Sequence, residues 1–142
     1  MGGINSRSVL IAGVMAGVAM VIADMVVVGG FFAAYWDAAL ARLGLPPFTE
    51  GSAGDLLFLI GTDVGMGILI AFVYAAIRPR FGAGVRTALI ASAVVWLPGL
   101  AIFVGLASMA VFEWPMVGAM AVPSLLVSLV GGYVAGWRYS EA

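Results

Sequence analysis

The chain has no cysteine, no histidine and no lysine. Without thiols, disulfides, iron–sulfur clusters and thiol catalysis are excluded. Without imidazole, the commonest metal and haem ligand and the commonest general base are missing. No metal site and no cofactor is expected; His-bound haem or chlorophyll is excluded, and a pigment or quinone held by apolar contacts is not. Charge is scarce too. Only 9% of the 142 residues are Asp, Glu, Lys or Arg, against about 25% in soluble domains. The net charge is −1 and there is no basic tract, so no nucleic-acid partner is expected. Any chemistry rests with seven carboxylates, six arginines, hydroxyls, aromatics and backbone.

What is abundant is apolar: 64% of the residues are hydrophobic. A short chain leaves a large share of its surface exposed, so this much apolar area implies lipid as the solvent. A spanning helix needs about 20 apolar residues, and four stretches qualify, at about 8–30, 56–77, 87–112 and 117–137. The expected fold is all-α: a polytopic membrane protein, with four transmembrane helices in an antiparallel bundle forming one domain over 1–142. The first stretch follows Arg7 as a secretory signal would, but its apolar run is too long and no A-x-A site follows, so it reads as a retained helix.

Arginine placement sets the expected topology. Four spans put both termini and the second connection on one side, with Arg7, Arg78, Arg80, Arg86 and Arg138. The other side has Arg42 alone, with Asp37, Glu50, Asp55 and Glu113. Five arginines against one predict cytoplasmic termini. "RPRFGAGVR" (78–86) reads as a tight hairpin punctuated by Pro79, Gly82 and Gly84. Its Arg78, Arg80 and Arg86 are expected to anchor the chain at anionic lipid headgroups.

The first connection is long. Within its outer segment 31–54, "FFAAYWDAALARLG" (31–44) puts Phe32, Trp36, Leu40 and Leu43 on one helical stripe. A short extra helical segment is therefore expected there, ended by Gly44. Either it prolongs the first span, or a Gly29-Gly30 hinge lays it along the membrane surface.

Small residues let membrane helices approach closely. The expected smooth faces are Gly13 and Gly17 continuing to Met20 and Asp24; Gly61 with Gly65 and, on an adjoining stripe, Asp63 and Gly67; Ala101 with Gly105; and Ser124, Ser128, Gly132 and Gly136. Trp36, Trp114, Trp137 and Tyr139 read as interfacial residues, and Trp96 as packing around a Pro98 kink.

The candidate site is an intramembrane polar cluster of Asp24, Asp63, Ser124 and Thr62. Asp24 lies six residues before Gly30 and Asp63 eight after Asp55, roughly 9 and 12 Å along oppositely directed helices. The two carboxylates should thus share a depth near the outer surface, with Ser124 level with them. Each costs about 2.5–3.5 kcal/mol near the bilayer centre, so inward placement is favoured. With no arginine expected at that depth, the pair should hold a proton between them. The structural alternative is a protonated aspartate bonding Ser124, Thr62 or a carbonyl that Pro98 or Pro123 frees near Val94 or Ala119.

At "YAAIRPRFGAGVRTALIASAVVW" (74–96) the chain resembles a group of small, uncharacterised four-helix bacterial integral membrane proteins with an IRPRFG-type arginine hairpin between helices two and three. The resemblance implies four helices in a bacterial cytoplasmic membrane and carries over no catalytic residues. Small multidrug transporters are similar in having four short helices and an acid in the first, matched here by Asp24 alone. The long first connection and the acid in the second helix depart from their pattern.

The leading expectation is a non-enzymatic membrane protein: an accessory subunit packing with other integral membrane subunits or with itself, its outer segment 31–54 the docking element. The alternative is a small proton- or cation-coupled transporter using Asp24 and Asp63. A membrane enzyme ranks last, since no nucleophile–base pair accompanies the acids.

Overall fold

Asn5 opens the first helix by accepting a hydrogen bond from the Ser8 N–H at 3.1 Å, the usual way to satisfy a free helix-start donor. In this computed structural model, which describes residues 4–47 and 50–141, five α-helices follow. They are α1 (Ser6–Val26), α2 (Ala33–Arg42), α3 (Ala53–Phe81), α4 (Val85–Ser108) and α5 (Trp114–Arg138). Four helical rods, α1 running into α2 being one of them, are long and apolar enough to cross a membrane.

Residues 33–42 continue the first helix instead of hinging away at Gly29-Gly30. A widened segment, Val27–Phe32, joins α1 to α2 through π-type turns, giving one rod of 37 residues from Ser6 to Arg42. That is about 55 Å at 1.5 Å per residue, against about 30 Å of hydrocarbon. The rod ends at Gly44, whose φ is 70°. The Gly44 and Leu45 N–H groups donate back to Ala41 (3.1 Å) and Leu40 (3.0 Å), closing the last turn as a glycine C-cap does. Positions 48–49 of the outer segment lie outside the described residues.

The other boundaries differ from the sequence expectation for local reasons. Helix α3 starts at Ala53 instead of 56 because Ser52 and Asp55 form a reciprocal cap. The Asp55 N–H reaches Ser52 Oγ at 3.2 Å, and the Ser52 N–H reaches Asp55 Oδ2 at 2.8 Å. It runs on to Phe81, with Pro79 accommodated in its final turn. Helix α4 stops at Ser108, short of 112. Ala110 takes a φ of 58°, and the Val111 N–H turns back to Leu106 at 3.0 Å. Pro115 sits in the first turn of α5, where a missing N–H costs nothing.

Helices α1, α3, α4 and α5 pack in a ring, each on the next and α5 on α1, with α3 and α5 also touching across it. The tightest seam joins α1 to α3. A Cβ on Gly13 would collide with the Ile68 backbone, one on Gly17 with Val64, and one on Gly67 with Gly17. Residue numbers thus fall along α3 as they rise along α1. Gly61 and Gly65, the expected smooth face of this helix, look outward onto open space. The packing face is Gly67, Ile70, Ala71 and Tyr74, all buried.

Between α4 and α5, Ser128 Oγ donates to the Ser92 carbonyl at 3.2 Å and Gly132 makes room for the Ser92 hydroxyl. Ala101 and Gly105 are not this seam. Ala101 is exposed and Gly105 is only half-buried with open space beside it, whereas Ala88, Ala91 and Ser92 are buried.

Ion pairs and caps mark the two ends of the ring. At one end Arg42 pairs with Glu113. At the other, the Ser140 N–H donates to Ser8 Oγ at 2.9 Å, Arg78 lies 3.3 Å from Glu141, and the Gly84 N–H donates to the Tyr74 hydroxyl at 3.1 Å. Both termini and the α3–α4 turn therefore meet at one end, and the α2 tip and the α4–α5 turn at the other.

Candidate functional site

Asp24 and Asp63 line one cavity of about 460 Å³ toward the α2 end of the ring. Helix α1 brings Asp24 on the face that carries Gly13, Gly17 and Met20, all three buried against neighbours. Helix α3 brings Asp63, one residue before Val64, the residue that meets Gly17. The close backbone approach at Gly17 fixes the relative level of the two acids. Asp24 stands seven residues and Asp63 one residue beyond it toward the α2 end, so they are offset by about 9 Å along the bundle and do not share the depth expected of them. Both side chains are half-buried.

The wall is mostly apolar, with Leu56, Leu59 and Ile60 from α3, Phe103 from α4, and Met120 and Pro123 from α5. Ala119 also lines it. Pro123 has no N–H, so the Ala119 carbonyl loses its i+4 helical donor at this wall.

Of the four residues expected to form the cluster, three reach this cavity and one does not. Ser124 lines it, but its hydroxyl donates to the Met120 carbonyl at 2.7 Å and accepts from Trp96 Nε1 at 3.0 Å. Thr62 is exposed, and its hydroxyl donates to the Phe58 carbonyl at 2.9 Å, back along its own helix. Among the described residues, no side chain donates a hydrogen bond to either carboxylate, and neither forms an ion pair. The two hydroxyls expected as polar glue are therefore committed elsewhere, whereas the Ala119 carbonyl stands at the same wall as the acids without its helical donor. No group of three or more His, Cys, Asp or Glu that could hold a metal occurs among the described residues.

Sequence reasoning missed Trp36, which it read as an interfacial residue. Trp36 lines the cavity from α2. On an unbroken α-helix it would sit roughly 120° around from Asp24, at about 100° per residue. The π-type segment absorbs about one extra residue, turning the later side chains back by about 100° and onto the Asp24 face. Trp96 likewise does more than pack around a kink, since its indole ties α4 to Ser124 of α5.

The arginine hairpin divides. Arg80 and Arg86 are exposed, as a headgroup contact requires. Arg78 instead lies over the buried Tyr139 ring, 5.6 Å from its centre, and Tyr139 meets Tyr74 edge-on with ring centres 5.9 Å apart. Tyr139, expected at the interface, is 6% exposed.

Compared with protein-family models, curated proteins and solved structures, the chain matches none.

Proposed function

We propose that this chain is a non-enzymatic, four-span antiparallel protein of a bacterial cytoplasmic membrane, with cytoplasmic termini, that handles a proton or a cation at Asp24 and Asp63. Lipid surrounds the single transmembrane domain, and α2 projects on the extracytoplasmic side. The arginine-rich end supports that orientation, with Arg80 and Arg86 toward headgroups.

One observation carries the reading: two acids from different helices share a cavity in which, among the described residues, no side-chain donor meets them. An intramembrane acid costs several kcal/mol wherever it is not required. An acid kept as internal glue would be found bonded to its neighbours. The test is proton and cation flux into proteoliposomes, comparing the native chain with Asp24→Asn and Asp63→Asn. Flux lost in both variants supports the carrier; flux unchanged in both, or absent from the native chain, removes it.

A second reading has its own support. The α2 tip and the α4–α5 turn enclose another cavity, of about 450 Å³, beside the exposed Arg42–Glu113 pair. Such a surface suits an accessory subunit that docks on a larger membrane protein. Gentle detergent extraction checks this: a stable larger complex supports it, and a monodisperse monomer counts against it.

A further inference from the structure

We infer that the arginine-rich end of the bundle is a binding surface for anionic phospholipid, made by Arg7, Arg80, Arg86 and Arg138 and not by Arg78. This deepens the membrane reading and rests on it for the premise that the four rods stand in a bilayer.

Each rod contributes one of these arginines. Arg7 comes from the first turn of α1, Arg80 from the last turn of α3, Arg86 from the first turn of α4 and Arg138 from the last turn of α5. The ring of helices sorts them into two pairs. The hydrogen bond from the Ser140 N–H to Ser8 Oγ draws the start of α1 and the end of α5 together, with Arg7 and Arg138 beside that tie. Arg80 and Arg86 flank the short turn between α3 and α4, the opposite seam of the ring.

Nothing in the protein neutralises these four. All are exposed and, among the described residues, none forms an ion pair. Glu141, the one acid at this end among the described residues, lies 3.3 Å from Arg78. Arg78 itself is withdrawn over the buried Tyr139 ring. The other end offers no such surface, since its arginine, Arg42, pairs with Glu113.

The chemistry of the occupant follows from the residue type and its neighbours. A guanidinium presents a planar fork that holds a phosphate through two hydrogen bonds, which an ammonium cannot do, and this chain carries no lysine. Phe81, Val85 and Trp137 adjoin Arg80, Arg86 and Arg138 in sequence and are exposed apolar side chains. A dissolved anion needs no apolar neighbours, whereas a phospholipid brings acyl chains beside its phosphate. A zwitterionic headgroup carries its own ammonium, which offsets the phosphate charge, so a net negative lipid is favoured.

The test is electron spin resonance of the full chain in phosphatidylcholine vesicles, with a trace of spin-labelled phosphatidylglycerol or spin-labelled phosphatidylcholine. The fraction of each label held motionless by the protein gives their relative affinity. Phosphatidylglycerol should be preferred about threefold or more at low salt. The preference should shrink toward one in about 1 M salt, where the screening length is roughly 3 Å. Arg7→Gln with Arg138→Gln, and Arg80→Gln with Arg86→Gln, should each lower it, and all four together should abolish it. Lysine at all four positions keeps the charge and should recover most of the preference, which separates lost charge from lost folding. Arg78→Gln should leave the preference unchanged.

Equal retention of the two labels by the native chain overturns the inference, as does a preference that survives the fourfold Arg→Gln variant. Loss of the preference on Arg78→Gln alone overturns it in favour of the hairpin anchor that the sequence suggests. Displacement of labelled phosphatidylglycerol by millimolar inorganic phosphate overturns it in favour of a site for a dissolved anion. A chain that holds both labels equally sinks this inference alone; a chain that holds neither sinks the membrane reading with it.

Discussion

The two ends of the bundle are built differently. Toward the arginine-rich end the helices touch backbone to backbone, through Gly13, Gly17 and Gly67 on one seam and Ser92, Ser128 and Gly132 on another. Tyr74 and Tyr139 close that end, and the chain termini are tied together across it. Toward the α2 end the rods part around two cavities, and the acids stand in one of them. Small residues at the crossing permit both features. Where side chains vanish the helices meet, and beyond the crossing they diverge. The close-packed half is the scaffold, and the parted half is where a ligand can enter.

Substitutions should report that asymmetry. Filling the crossing should do the most damage: Gly17→Leu drives a side chain into the Val64 backbone and should cost about 3 kcal/mol or more, read as a lower unfolding midpoint in detergent. Tyr139→Ala should follow, at about 2 kcal/mol, because it empties a buried aromatic site under Arg78. At the other end the sign should reverse. Asp63→Leu removes an intramembrane acid that no side-chain donor among the described residues satisfies, and should stabilise the fold by about 1–2 kcal/mol while abolishing flux. A destabilised Asp63→Leu would instead make the acid structural glue. Ala110→Gly should stabilise the α4–α5 turn by about 0.5–1 kcal/mol, since Ala110 holds a left-handed φ that glycine adopts freely. Gly65→Ala should change stability by only a few tenths of a kcal/mol, the added methyl meeting open space.

The sequence makes the spans legible because length and apolarity alone mark them. The Gly13–Gly17 face is legible too, since nothing bulky interrupts it before Met20. Gly61 and Gly65 mislead because small-residue spacing recurs on the same helix, and the packing face is chosen by the buried Ile70 and Tyr74 that lie beyond it. The turn at Ala110 carries no glycine to announce it. Of the candidate site, counting rises from the helix ends puts Asp24 and Asp63 at one depth. The register that pairs Gly17 with Val64 instead sets Asp24 seven residues and Asp63 one residue beyond that crossing, about 9 Å apart along the bundle, because the two helices begin at different heights. Thr62 could not be excluded, because only coordinates show its hydroxyl bonding Phe58. Trp36 was hidden by the widened segment, which breaks the periodicity on which face assignments depend.

That segment has a mechanical consequence. Its surplus residue is a phase offset stored between a fixed shaft, α1, and a projecting head, α2. Regularising Val27–Phe32 to ordinary α-helical winding would spin the head by about 100°. Trp36 would leave the wall, and Arg42 would swing away from Glu113. A twist confined to half a dozen residues thereby sets which side chain of α2 meets the acids.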